Sequence, residues 1–154
     1  MTELEIALLG GVRVRHPCRG DIHLASQKGA LVLALLAYTP GKKHRREIVQ
    51  ELLWPGSDQQ HAQGNLRFTL HQIRRALEAD EEILLSDNRS IWLDPDRVTV
   101  DVVRFEALAQ EGALEALTAA CELYVGDLLS DAEDLSPEYE NWLLPERERL
   151  REVA

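Results

Sequence analysis

The chain has 154 residues, 45% of them hydrophobic, and a formal net charge of −10, enough to bury a core in one large domain or two small ones. No apolar run approaches about 18 residues, which excludes a membrane-spanning helix, and the acidic start Met1-Thr2-Glu3-Leu4-Glu5 is not a secretory signal. Cys18 and Cys121 stand more than a hundred residues apart and suit a reducing cytoplasm better than a disulfide framework.

The chain opens with strand-like text. Leu4 to Leu9 and Val12 to Arg15 are short apolar or alternating runs split by Gly10-Gly11. Pro17 to Gly20 makes a turn, and Ile22-His23-Leu24 a third short strand. From Ser26, a suitable N-cap, the period becomes helical through Ala30, Leu31, Leu33, Ala34, Leu35 and Tyr38, and Pro40-Gly41 closes that helix. A second helix is predicted over Arg45 to Trp54, with Ile48, Val49, Leu52 and Leu53 inward. Pro55-Gly56 ends it, and the polar loop Ser57 to Gln60 leads to a third helix, His61 to Leu77. Ile83-Leu84-Leu85 and Ile91-Trp92-Leu93 then flank Ser86-Asp87-Asn88-Arg89-Ser90 as a β-hairpin with Arg89 at its tip. Strands, three helices and a hairpin follow one another in the order of a winged helix, whose third helix is the one that reads DNA.

The remainder reads as helical. Asp101 can cap a helix carrying Val102, Phe105, Leu108 and Ala109 on one side. After Gly112, Ala113 to Tyr124 presents Leu114, Leu117, Cys121 and Tyr124 as the inward face, with Cys121 a small core residue. Gly126 and the acidic loop Asp127 to Ser136 precede a third helix from Pro137 to Ala154, in which Pro145 is expected to make a break near Leu144. The expected fold class is therefore α+β: a winged helix-turn-helix over residues 1–98, followed over residues 99–154 by an all-α, TPR-like helical-repeat segment. Charge divides at the same place. Residues 1–98 hold 13 Lys and Arg against 13 Asp and Glu, whereas residues 99–154 hold 4 against 14.

The third helix carries the functional signal. Leu66, Leu70, Ile73 and Leu77 form a narrow apolar stripe, with Gly64, Phe68, His71 and Arg75 opposite and Asn65, Arg67, Gln72 and Arg74 on the flanks. No acid lies between Asp58 and Glu78. Asn, Gln and Arg side chains match base edges in the major groove, so Asn65, Phe68, His71, Gln72 and Arg75 are the base-facing candidates. Lys42, Lys43, Arg45 and Arg46 before and within the second helix, Arg67 and Arg74 on the third, Arg89 on the hairpin and Lys28 on the first helix are the phosphate candidates. A solvated charged face is the plain structural alternative for such a helix.

Residues 1–98 resemble the OmpR-type winged helix of Streptomyces antibiotic regulatory proteins, through Leu52-Leu53-Trp54-Pro55, Asn65-Leu66-Arg67 and Leu70 with Ile73-Arg74-Arg75-Ala76-Leu77. Residues 99–154 resemble the bacterial transcriptional activation domain that follows it in that family. The matching text is Val100-Asp101-Val102, Arg104-Phe105-Glu106-Ala107-Leu108, Leu123-Tyr124 with Gly126-Asp127-Leu128-Leu129, Trp142-Leu143, Glu146-Arg147 and Arg149-Leu150. The resemblance implies a cytoplasmic bacterial transcription factor, an activator that binds repeated sites on double-stranded DNA and recruits RNA polymerase. Family members usually continue through further helices, and Phe68 and His71 occupy positions that vary among them, so the target sequence does not carry over.

Other chemistry is poorly supported. His16, Cys18 and His23 lack a zinc-like spacing and a fourth ligand. Asp127, Asp131, Glu133 and Asp134 lack the alternation and closing Glu of a calcium loop. No nucleophile motif or phosphate-cradling glycine loop is present, so neither an enzyme activity nor a cofactor is expected. Trp54, Trp92, Trp142 and Tyr124 read as core or interface anchors, with Trp92 and Phe105 placed to join the two parts. Two functions remain: a DNA-binding regulator, and a regulatory protein-interaction module that keeps the fold without needing DNA. The chain stops where another helix is expected, which implies a longer protein or a homodimer through residues 113–154, covering Leu117, Leu143, Leu144 and Leu150.

Overall fold

The computed structural model describes residues 4–24, 26–77, 83–133 and 135–153; Asp134 of the acidic loop and Ala154 at the expected helix end lie outside them. Strands β1 (Leu4–Ala7), β2 (Arg13–His16) and β3 (Gly20–Ile22) form an antiparallel meander. The far edge of β1 pairs in parallel with β7 (Val98–Val100), Leu4 opposite Val98 and Ile6 opposite Val100, so the sheet order is β3-β2-β1-β7. The hairpin β5 (Leu84–Ser86) and β6 (Ser90–Leu93) takes β4 (His44–Arg45) as a third strand, in the order β4-β6-β5. Along the chain α1 (Gln27–Tyr38) lies between β3 and β4, and α2 (Arg46–Leu53) and α3 (Gln59–Leu77) lie between β4 and β5; α4 (Asp101–Glu111), α5 (Leu114–Leu123) and α6 (Pro137–Val153) follow β7.

The β1 strand ends two residues before the run of apolar text does because Leu8 and Leu9 are diverted. Asp101 takes the Leu8 and Leu9 amides at 2.8 and 3.0 Å and also accepts from Val102 N–H. Burial pushes its carboxyl above the ordinary range, against the pull of those amide donors. Leu8 in turn accepts from the Leu129 amide at 2.8 Å, and the Gly10 amide donates to Asp127 at 2.9 Å. The crossing needs glycines on both sides: Gly10 has φ +88°, and a Cβ on Gly126 would stand 2.8 Å from Gly10 Cα.

Ser26 caps α1 through the Gly29 amide. Leu31 to Tyr38 are all buried, so α1 is the central helix, covered on every side. Its outer layers are α3, which contributes Leu66, Leu70, Ile73 and Leu77, and α6, which contributes Tyr139, Leu143 and Leu150. The buried Tyr139 hydroxyl donates to Leu31 O at 2.8 Å. Trp142 packs edge-on against both Tyr38 and Tyr139, with centroids 5.4 and 5.3 Å apart. One hydrophobic cluster therefore runs from β1 to α6.

Several expectations are corrected. In α2, Val49 and Leu53 are buried and Leu52 partly so, but Ile48 is 52% exposed because the short helix turns only one edge inward. On α5, Leu114 (80% exposed), Leu117 and Cys121 face outward. The inward residues are Ala116 and Ala120, whose small side chains let α5 lie close on α4. Pro145 does not break α6; it sits on an exposed face with Asn141, where water can serve the carbonyl that proline leaves without a donor. The aromatic tie between early and late helices is Tyr38–Trp142–Tyr139, while Phe105 packs on Tyr124 at 5.3 Å and Trp92 lies under Lys43. Leu143 and Leu150 are covered within the chain, leaving Leu117 and Leu144 as the exposed members of the expected dimer set. No helix among the described residues is long and apolar enough to cross a membrane.

Candidate nucleic-acid interface

The α3 helix starts two residues earlier than its pattern suggested because Asp58 accepts the His61 amide at 2.8 Å, while its second oxygen meets His61 Nδ1 at 2.8 Å. The helix buries Ala62, Leu66, Thr69, Leu70, Ile73 and Leu77. Each of the larger apolar side chains contributes about 1.5–3 kcal/mol by leaving water, which fixes the helix's rotation about its axis. With that rotation set, Gly64, Asn65, Phe68, His71 and Arg75 are exposed and Gln72 is partly so. Phe68 is 61% exposed.

Beside α3, the first turn of α2 and the hairpin tip are locked together. Arg45 pairs with Ser90 across β4 and β6, the Arg46 amide donates to Arg89 O at 2.8 Å, and Arg46 Nε donates to Asp87 O at 3.1 Å. Asp87 shapes the tip by accepting the Arg89 and Ser90 amides at 2.8 and 2.7 Å, and the Arg89 amide foremost holds its carboxyl below the ordinary range. The result is a polar cleft of about 560 Å³ lined by Arg45, Arg46, Glu47, Gln50, Gln63, Arg67, Asn88 and Arg89. Burial, and then the neighbouring Arg74 charge, pull the Arg46 guanidinium below its usual value, with Arg67 adding to the repulsion. Four guanidinium groups on one cleft repel one another, and an anion placed among them relieves that cost. Lys43 stands just beyond, its ammonium 4.6 Å from the Trp92 ring centroid, and Lys42 is exposed in the same loop.

Two of the phosphate candidates make hydrogen bonds within the fold. Lys28 Nζ donates to Leu53 O at 2.8 Å, serving an end carbonyl of α2. Arg74 donates to Leu84 O at 3.3 Å and to Ser86 Oγ at 2.7 Å, tying α3 to the hairpin. Gln50, Gln63 and Asn88 line the cleft without having been singled out from the sequence. Gln63 was legible, lying one turn before Arg67 on the same flank; Gln50 was not, because its place depends on how α2 meets α3. Among the described residues no group of His, Cys, Asp and Glu is arranged to hold a metal ion.

A meander, three helices and a hairpin, with an exposed third helix beside a basic cleft, define a winged helix joined to a helical segment. The chain matches no family model, and no curated protein matches it. Among solved structures it is similar to Mycobacterium tuberculosis EmbR, determined in complex with a low-affinity phosphopeptide. The likeness has a TM-score of 0.79 and 22% sequence identity and covers 99% of this chain. It covers 42% of the EmbR chain, so this chain spans less than half the length of that protein. The likeness establishes the fold.

Proposed function

We propose that this chain is the DNA-binding part of a bacterial transcriptional regulator, not an enzyme, with residues 1–98 meeting duplex DNA and residues 99–154 meeting protein. The observation that carries the reading is α3: a helix without an acidic residue, rotated so that Asn65, Phe68, His71, Gln72 and Arg75 face outward, beside a cleft holding Arg45, Arg46, Arg67 and Arg89. In this reading α3 enters the major groove and the cleft receives the flanking phosphates. The similarity to EmbR over nearly the whole chain supports it at the level of fold. The acid excess of residues 99–154 keeps that part off DNA, and RNA polymerase is the proposed partner.

Fluorescence anisotropy with duplex DNA across a salt series tests this. Four or five neutralised phosphates give a slope of about −4 in log K against log salt, and Arg67→Ala or Arg89→Ala each reduces it by about 1. Binding that ignores salt, or no binding at low salt, refutes the DNA role and favours the interaction module, for which the net charge of −10 is the supporting observation.

A further inference from the structure

One exposed aromatic residue on the groove-facing side of α3 has no partner role within the fold. Phe68 is 61% exposed in the middle of a 19-residue helix, and its ring stacks on no other aromatic ring among the described residues. Leaving a phenyl group in water is unfavourable, and nothing in the chain's own packing requires it. The residue one turn earlier on the same face is Gly64. It lies inside the helix without a positive φ, and a Cβ built there would meet nothing within 4 Å. Alanine would therefore fit, and a glycine in a helix interior costs about 1 kcal/mol relative to alanine. The missing side chain has no internal use; what it allows is close approach from outside. Gly64, Phe68, His71 and Arg75 follow one another along about 16 Å of helix, and basic groups flank this face at Arg67 and in the cleft.

We infer that Phe68 is a specificity-determining residue that packs on the 5-methyl group of a thymine in the major groove, with bare Gly64 letting the helix come near enough to do so. Thymine alone among the four bases presents an apolar group in that groove, and phenylalanine is one of the side chains suited to it. The inference rests on the DNA-binding reading proposed above. The four guanidinium groups of Arg45, Arg46, Arg67 and Arg89 converge in the cleft beside this face, a charge density that the closely spaced phosphates of a duplex match.

The test selects bound sequences from a random duplex library with the full chain, then replaces each thymine of the tightest selected duplex by deoxyuridine, one at a time. Losing one buried methyl weakens binding about four-fold. The expected result is such a loss at one thymine per site for the parent, and no thymine–uracil difference there for Phe68→Ala. Phe68→Leu keeps an apolar contact and retains part of the discrimination. In parallel, Gly64→Ala should raise the melting temperature yet weaken duplex binding at least about five-fold, because an added methyl crowds the contact. If the parent binds duplex with steep salt dependence but no thymine shows a Phe68-dependent uracil penalty, this inference fails and the DNA reading stands. If Gly64→Ala binds as well as the parent, the close-approach half fails. A parent that selects no duplex at low salt overturns both readings.

Discussion

Replacing Tyr139 by Phe tests whether α6 and α1 belong to one folding unit. Tyr139 is fully buried, and its hydroxyl donates to Leu31 O at 2.8 Å across the seam between the late and early helices. Burial raises the phenol's pKa strongly, so it remains a donor at every ordinary pH. Leu31 lies inside α1, where its carbonyl also faces the helix's own amide one turn on. Removing the hydroxyl thus orphans no buried acceptor, and the cost is that of one neutral hydrogen bond, about 1 kcal/mol. Tyr139→Ala also removes a buried ring against Trp142 and leaves a cavity, costing about 3–5 kcal/mol. For a chain of this size each kcal/mol lowers the melting temperature by about 2–4 °C. Urea unfolding is followed by tryptophan fluorescence and by far-ultraviolet circular dichroism, and both curves should move together as one transition. An unchanged Tyr139→Phe midpoint, or a loss confined to a separate early transition, would refute the shared-core reasoning.

Asp101→Asn should cost about 1–3 kcal/mol, since an amide cannot accept from both the Leu8 and the Leu9 N–H groups; denaturant midpoints measure it, and a neutral result discounts the clamp. Arg151, and then the Tyr124 hydroxyl, hold Asp127 at about 2 against an ordinary 3.8. Its contribution is therefore complete above pH 3.8 and lost as pH falls from there toward 2, by less than about 1 kcal/mol for so exposed a pair. Asp127→Asn should flatten the acid-unfolding curve in that window, and parallel curves would contradict this. Pro145→Ala should stabilise the chain by about 1–3 kcal/mol, because the helix already runs through that position unbroken; a lower melting temperature would show that proline has a packing role there.

Wherever a single element determines burial, the sequence was a good guide. The spacing of Leu66, Leu70, Ile73 and Leu77 announced both α3 and its rotation, and Ser26 announced the start of α1. What failed depended on which element packs against which. Ile48 belongs to the same apolar run as Val49 and Leu53 but lies at least about 100° round α2 from either, outside the edge that turns inward, and Leu114 and Leu117 lose their place to Ala116 and Ala120 because close helix approach favours small side chains. The same limit governs the site. Charge alone does not distinguish Arg67, which lines the cleft, from Arg74, which hydrogen-bonds to the hairpin, or Lys28 from Lys43. The convergence of Arg45, Arg46, Arg67 and Arg89 requires the β4–β6 pairing, which two residues, His44 and Arg45, give almost no pattern to detect.

The parallel pairing of β7 with β1 also bears on how such a chain could be cut and rejoined. The change in charge near Val98 invites a fusion point there, yet that residue begins the strand that closes the first sheet, and Asp101 just beyond it holds Leu8 and Leu9. A hybrid gene spliced at residue 98 would inherit an open strand edge and two amides without their acceptor, whereas one spliced after Asp101 would inherit the sheet whole. Even then the borrowed segment would have to cover α1 where Tyr139 and Trp142 now lie. Exchange of the two parts between lineages is thus expected to succeed only among relatives whose late helices carry the same cover. Hybrids joined at 98 and after 101, compared for soluble yield and melting temperature, would reveal that rule directly.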